Sequence, residues 1–217
     1  SGKTEVYLQV ISAVLQQDRQ VLILVPEINL TPQLEKGFRD RFPALSVICL
    51  HSKLNTTERT QNWLLAQAGT ANIILGTRLA IFTPLPKLGL IIVDEEHDSS
   101  YKQQDGFRYS ARDVAIFRAK QTNIPIVLGS ATPSLESYHN AVSGRYSLLT
   151  LRTKDIKNAA LPVIQLIDTR KKLLQEGLSE PMLNALERNL TQNKQSMVFI
   201  NRRGYAPVLL CKSCAWS

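Results

Sequence analysis

Two short stretches of this chain carry residues suited to phosphate chemistry. Ser1-Gly2-Lys3-Thr4 matches the last four residues of the phosphate-cradling loop G-x-x-x-x-G-K-[ST], in which the lysine meets the β and γ phosphates and the hydroxyl reaches Mg²⁺. Much further along, Leu90-Ile91-Ile92-Val93 runs straight into Asp94-Glu95-Glu96-His97. Four unbroken apolar residues fit a strand buried on both faces of a parallel sheet, and such sheets gather their chemistry just beyond the strands' carboxyl ends. Alone, the first stretch also fits an ordinary helix start and the second an apolar strand ending in a solvated acidic turn. Together and in this order they supply phosphate contacts, a metal carboxylate and a base, the parts that hydrolysis of a nucleoside triphosphate needs. The candidate nucleotide residues are therefore Ser1, Gly2, Lys3, Thr4, Asp94, Glu95, Glu96 and His97, with the Thr4 hydroxyl facing Mg²⁺.

These residues need a scaffold, and the pattern of apolar positions provides one of the α/β class with a parallel sheet. Val6, Tyr7, Val10, Ile11, Val14 and Leu15 recur at helical spacing after Thr4, so one face of that helix should lie on a sheet. Residues 21–25, 45–50, 72–75 and 126–128 read as further buried strands, alternating with helices from Pro32, from about Thr57, from Ser110 to about Gln121, and from Ser134. Thr31 is placed to cap the helix that Pro32 opens, and Ser110 with Asp113 resembles a capping box.

The loops at the strand ends hold the other candidates. The loop from Pro26 to Gln33 is placed to touch an extended phosphodiester chain, and Arg78 in Gly76-Thr77-Arg78 to grip a phosphate bidentately, although a capped turn and a surface ion pair would look the same in sequence. His51 reads as a solvated loop histidine, and Gly129-Ser130-Ala131-Thr132-Pro133 offers hydroxyls near the acids. The run from Tyr101 to Tyr109 has no helical or strand period and sets Tyr101, Phe107 and Tyr109 among Gln103, Arg108 and other polar residues. That composition suits the stacking of unpaired bases, at roughly 1–3 kcal/mol per ring, or rings packed back on the domain.

The helix-strand alternation loosens over residues 145–162. Residues 1–150 are thus expected to form one lobe and 151–162 a linker; 163–210 should begin a second α/β lobe, with strands at 163–167 and 197–200. Between those strands, a helix over about 179–193 turns Met182, Leu183, Leu186 and Leu190 inward. Residues 211–217 hold Cys211-Lys212-Ser213-Cys214, whose spacing lets both thiolates reach one Zn²⁺; a single pair supplies only two ligands, so incidental cysteines fit equally well. Cys49, in an apolar run, is expected to be a buried free thiol.

Composition bounds the reading without deciding it. The chain has 217 residues and is 44% hydrophobic, ample for a core. No apolar run reaches the ~18 residues of a membrane span, so a cytoplasmic protein with no membrane partner is the expectation. A formal charge of +8, from 26 Lys and Arg against 18 Asp and Glu, makes a polyanionic partner plausible without requiring it.

On these motifs the whole chain resembles the motor core of the PriA family of replication-restart helicases, in helicase superfamily 2. Asp-Glu-x-His and Ser-Ala-Thr are widespread among helicases; the aromatic-rich run, and Asn201-Arg202-Arg203-Gly204 leading to Cys211 and Cys214, are narrower signals. The resemblance implies a RecA-like P-loop lobe and the start of a second, with ATP, Mg²⁺ and Zn²⁺ as cofactors. It implies catalytic roles for Lys3, Asp94, Glu95, Ser130 and Thr132. Asp94 holds Mg²⁺ through water, Glu95 deprotonates the attacking water, and Ser130 and Thr132 couple hydrolysis to lobe movement. DNA contacts fall to Pro26, Glu27, Ile28, Thr77 and Arg78, and DNA sensing to Tyr101, Gln103, Phe107, Arg108 and Tyr109, while Cys211 and Cys214 open a zinc insertion.

The implied activity is 3′-to-5′ unwinding at stalled forks, with single-stranded and forked DNA, primosome proteins such as PriB and DnaT, and single-stranded DNA-binding protein as partners near the nucleoid. Two rivals share these residues: a P-loop ATPase acting on RNA or protein, and a non-catalytic, zinc-carrying scaffold that binds forks. The first loop glycine, the other zinc ligands and the second lobe's arginine finger are not in these 217 residues. An arginine finger is worth about 10³–10⁵ in rate. The isolated 217 residues are accordingly expected to be nearly inactive, and robust DNA-stimulated ATP turnover by them would contradict this reading.

Overall fold

Apolar residues alternate with helices in a way that leaves the strands no exposed face, and they assemble accordingly. The computed structural model of the chain describes residues 2–26, 32–151, 163–170 and 174–199. Its central sheet contains β1 (Gln20–Leu24), β2 (Val47–Leu50), β3 (Ile73–Gly76), β4 (Leu88–Asp94) and a last strand, β7 (Ile126–Gly129). A separate two-stranded antiparallel ladder is formed by β5 (Lys102–Gln103) and β6 (Tyr109–Ser110). The five main strands are all parallel, in the order β2-β3-β1-β4-β7, so β4 lies inside the sheet between β1 and β7.

Because side chains alternate across a strand, each strand feeds two cores. Val21, Ile23, Leu90 and Ile92 meet Tyr7, Ile11 and Val14 of α1 (Lys3–Leu15) and Phe38 of α2 (Pro32–Arg41). Leu22, Leu24, Ile91 and Val93 meet Ala66 of α3 (Thr56–Gln67) and Ala111, Ala115 and Ala119 of α4 (Ala111–Gln121). Local caps set the helix starts. Asn55 accepts from Glu58 N at 2.8 Å, Ser110 from Asp113 N at 3.3 Å, and Ser134, before α5 (Leu135–Val142), from Ser137 N at 3.3 Å. The result is an α/β lobe with helices on both faces of a parallel sheet, as the motifs and periodicity led us to expect.

Cys49 is buried and free. Burial, and then the neighbouring Glu35 carboxylate, push its thiol up to about 12, so it is an inert core group.

The chain divides into two compact units, Ser1–Ala159 and Ala160–Ser217. In the second, α6 (Glu180–Thr191) forms much as expected. The strands expected at 163–167 and 197–200 do not appear among the described residues, where Val163 is 97% and Met197 94% exposed. Without a paired sheet beneath it, α6 has no buried residue, and Leu190, expected to face inward, is exposed. An apolar run becomes a strand only when a neighbour takes its backbone hydrogen bonds, and residues 163–169 have no such neighbour among the described residues. Thr31 lies outside the described residues.

One glycine fixes how closely α1 sits over the sheet. At Gly129, opposite Asp94 in the β4-β7 register, an added Cβ would fall 1.6 Å from the Tyr7 hydroxyl and 2.7 Å from its Cζ. Gly129→Ala should therefore destabilise the protein by about 1–3 kcal/mol, lowering its melting temperature by roughly 2–4 °C per kcal/mol. An unchanged melting curve would show that Tyr7 does not fill this space.

Candidate active site

Lys3 opens α1, preceded by Gly2 in the left-handed conformation (φ 72°), and no side chain caps the helix's first turn. Its unpaired amides and positive end therefore face whatever lies before them. What lies there is the end of β4. Lys3 Nζ donates to Glu95 Oε1 at 2.6 Å and stands 3.7 Å from Asp94 Oδ1. All three side chains are partly exposed, at 15%, 27% and 29% for Lys3, Asp94 and Glu95, so the cluster opens to solvent and a ligand can reach it. Thr4 is exposed on the same first turn. Glu95 itself takes a left-handed backbone conformation (φ 46°), unfavourable for a residue with a Cβ and typical of strained functional turns.

Two buried tyrosines hold Asp94 from opposite ends. The Tyr7 hydroxyl donates to Asp94 Oδ1 at 2.9 Å, and the Tyr101 hydroxyl donates to the Asp94 carbonyl at 2.6 Å. Burial, then the negative charge of Asp94, drive both phenols far above their ordinary pKa, so each remains a protonated donor. Asp94 Oδ2 has no protein partner among the described residues. An anchored carboxylate with one free oxygen, opposite an uncapped helix start bearing a lysine and a threonine, fits a Mg²⁺-nucleotide.

The next two acid-turn residues point different ways. His97 Nδ1 lies 2.7 Å from Ser130 Oγ and 3.7 Å from Glu95 Oε2, and its Nε2 lies 3.4 Å from Thr132 Oγ1. Ser130, Thr132, His97 and Glu95 are thus brought together. Glu96 is not with them, and its expected place among the nucleotide-binding residues is corrected. It is 2% exposed and accepts from Ser134 N (2.7 Å), Ser134 Oγ (3.0 Å), Ser137 Oγ (2.8 Å) and Arg112 Nη1 (3.2 Å). The left-handed turn at Glu95 sends the following side chain into the protein. Burial works to raise the Glu96 pKa, but the donors from Ser134, Ser137 and Arg112 outweigh it and hold the carboxyl below its usual range.

The aromatic run is a hairpin and not an aperiodic loop: Lys102 pairs with Ser110 and Gln103 with Tyr109, around Gly106 at φ 67°. Tyr101 is 2% exposed, which rules out base stacking and corrects that expectation; its ring belongs to the core and its hydroxyl to Asp94. Phe107 is 80% exposed and packs, tilted, against Tyr109 at 6.1 Å, while Tyr109 meets Phe82 edge to face at 5.0 Å. Arg108 is exposed, and Gln103 is half-buried and donates to the Asp105 carbonyl. Arg78 donates to the carbonyls of Ser100 (3.1 Å) and Lys102 (3.3 Å), tying the strand end at Thr77 to the base of the hairpin.

Beside Arg78, at the ends of β2 and β3, opens a pocket of about 340 Å³ whose lining includes His51, Arg59, Trp63, Thr77 and Phe82. Arg78 Nε and the Tyr109 hydroxyl are buried and have no hydrogen-bond partner among the described residues.

Pro26 is buried at the end of β1; Ser1, Glu27, Ile28, Cys211 and Cys214 lie outside the described residues. Among the described residues no group of three His, Cys, Asp or Glu could hold a metal. Sequence reasoning missed the roles of Tyr7, Arg112, Ser134 and Ser137. For Tyr7 a signal existed, because a hydroxyl four residues after Lys3 on an apolar helix face must find a buried partner.

Comparison with known proteins agrees with this geometry. Residues 1–141 match the DEAD/DEAH box helicase model. The chain is 49% identical over 216 residues to the replication restart protein PriA of Haemophilus influenzae, and 42% identical over 219 residues to that of Bacillus subtilis. All of the chain is covered in both cases, but it spans only 29% and 27% of those relatives' length. Among solved structures, the Pyrococcus furiosus Hef helicase domain aligns with a TM-score of 0.41 at 13% identity, over 64% of this chain and 28% of that one. No described helix is long and apolar enough to cross a membrane. With phosphate-loop residues, acid turn and Ser-Ala-Thr segment assembled at one end of a parallel sheet, the chain belongs to the DEAD/DEAH box helicases and, within them, resembles PriA along its whole length.

Proposed function

We propose that this chain forms the ATP-hydrolysing lobe of a DNA helicase that acts in replication restart. The observation that carries this is the meeting of Lys3 with Glu95 and Asp94 at the open carboxyl end of β4. Bound Mg²⁺ supplies charge neutralisation at the phosphate oxygens, and Thr4 and Asp94 are the residues that would hold it. The Glu95 carboxylate accepts a hydrogen bond from Lys3. An incoming phosphate competes for the lysine, and the released carboxylate can then accept a proton from water. His97, bridging Glu95 to Ser130 and Thr132, ties that carboxylate to the segment leading into α5.

DNA is the polymer this reading favours over RNA or protein. Exposed Phe107 and Arg108 on the hairpin, and the nearby pocket lined by Arg59, Trp63 and Phe82, suit an unpaired strand with stacked bases and anionic phosphates. The same reading includes 3′-to-5′ travel, Glu27, Ile28 and Thr77 along the backbone, Cys211 and Cys214 as zinc ligands, and docking of primosome proteins at forks; Pro26, being buried, is left out of the expected DNA contacts.

In the full-length protein, Glu95→Gln should cut DNA-stimulated ATP turnover by about 10²-fold or more while nucleotide binding survives. Retained turnover, or replication restart unaffected by the change, would favour the non-catalytic scaffold. Stimulation by single-stranded RNA equal to that by DNA would overturn the choice of polymer. Tyr7→Phe removes one hydrogen bond to a charged group, typically worth about 1.5–3 kcal/mol in stability. It should weaken Mg²⁺-dependent turnover by roughly tenfold with DNA affinity unchanged, as checked by metal titration and fluorescence anisotropy.

A further inference from the structure

The least explained feature of the molecule is a charged group sealed inside it. Glu96 and Arg112 are 2% and 8% exposed, and neither reaches the nucleotide site. A buried ion pair is poor support for stability, since apolar residues of similar volume often do as well or better. Its value must lie in what it joins.

Glu96 belongs to the acid turn, where its amide extends the β4-β7 pairing by donating to the Gly129 carbonyl at 3.0 Å. Arg112 is the second residue of α4 and follows directly on the hairpin that ends at Ser110. Ser134 caps α5 and stands two residues after Thr132. Arg112 Nη1 donates both to Glu96 and, at 2.6 Å, to Ser134 Oγ, and it lies 3.8 Å from Glu136. One carboxylate thus fastens the base of the hairpin and the exit of the Ser-Ala-Thr segment to the hydrolytic turn. A pocket of about 150 Å³ lies at this junction, and its lining draws on both segments, with Lys102 and Ser110 from the hairpin and Ser134 and Glu136 from the start of α5.

We propose that Glu96 is a positioning residue that, through Arg112, Ser134 and Ser137, makes the hairpin and the Ser130–Thr132 segment move as one body. Contact at Phe107 and Arg108 is thereby felt at His97 and Glu95. This rests on the hairpin being the DNA-sensing element of the proposed function.

The test uses the full-length protein and the isosteric Glu96→Gln. Turnover without DNA and DNA affinity should stay near wild type, while stimulation by single-stranded DNA falls by at least about fivefold, the lower end of typical coupling between sites. An unchanged stimulation ratio would overturn the proposal, as would basal and stimulated rates falling in proportion. Ser137→Ala, which removes one donor and leaves the Arg112 pair, should give the same effect in weaker form and serves if Glu96→Gln does not fold.

Backbone hydrogen exchange without nucleotide or DNA tests the link independently of any activity. Exchange should rise together in 102–110 and 130–137 on Glu96→Gln. A rise in one segment alone, or in neither, refutes it even if the helicase reading stands; a joint rise sustains it even if DNA stimulation is absent and that reading fails.

Discussion

The chemistry available to this chain depends on one long-range contact, the lysine at the start of α1 against the acids at the end of β4. The two are 92 residues apart in sequence and 2.6 Å apart in space. Nothing local brings them together. The parallel pairing of β4 with β1 sets the acids' height, and the apolar face of α1, packed on those same two strands, sets the lysine's. Gly129 allows the helix to sit close enough for Tyr7 to reach Asp94. A sheet buried on both faces cannot slip by one residue without turning a whole strand inside out, so the register that places Leu90 and Ile92 in the core also places Asp94 at the site.

Around that contact the polar groups fall into two sets with different surroundings. Lys3, Asp94, Glu95 and His97 are partly exposed and can exchange partners with a ligand. Tyr7, Tyr101, Glu96 and Arg112 are buried, and their charges and hydroxyls have protein partners already. Of the second set, Tyr7 and Tyr101 hold Asp94 in place, whereas Glu96 and Arg112 join the acid turn to the segments beside it. Low local dielectric strengthens satisfied buried hydrogen bonds and makes unsatisfied ones costly, which is why the inner set has little freedom to rearrange piecemeal.

Much of this was legible in the residues themselves. The apolar run before Asp94 read as a buried strand, Ser110 as a cap, and the helical repeat after Thr4 as a face on the sheet; each depends on local spacing or on full burial. Two of the misreadings, Glu96 and Tyr101, share an origin in side-chain direction. Glu96 looked like another site acid because its neighbours are, but the left-handed turn at Glu95 reverses it, and backbone handedness of a glutamate is not written in a motif. Tyr101 looked like a stacking ring by composition, whereas its burial follows from the core beneath α4. Residues 163–167 and 197–200 had the composition of strands, and composition cannot say whether a pairing partner exists.

The left-handed backbone at Glu95 carries a further implication. A glycine would adopt φ 46° freely, and the glutamate forgoes about 1–2 kcal/mol by sitting there. The fold would thus gain robustness from losing the side chain to which the proposed function assigns the activation of water. A search for hardier variants that rewarded heat resistance alone would drift toward discarding this acid, and would return a sturdier protein with nothing left to hydrolyse.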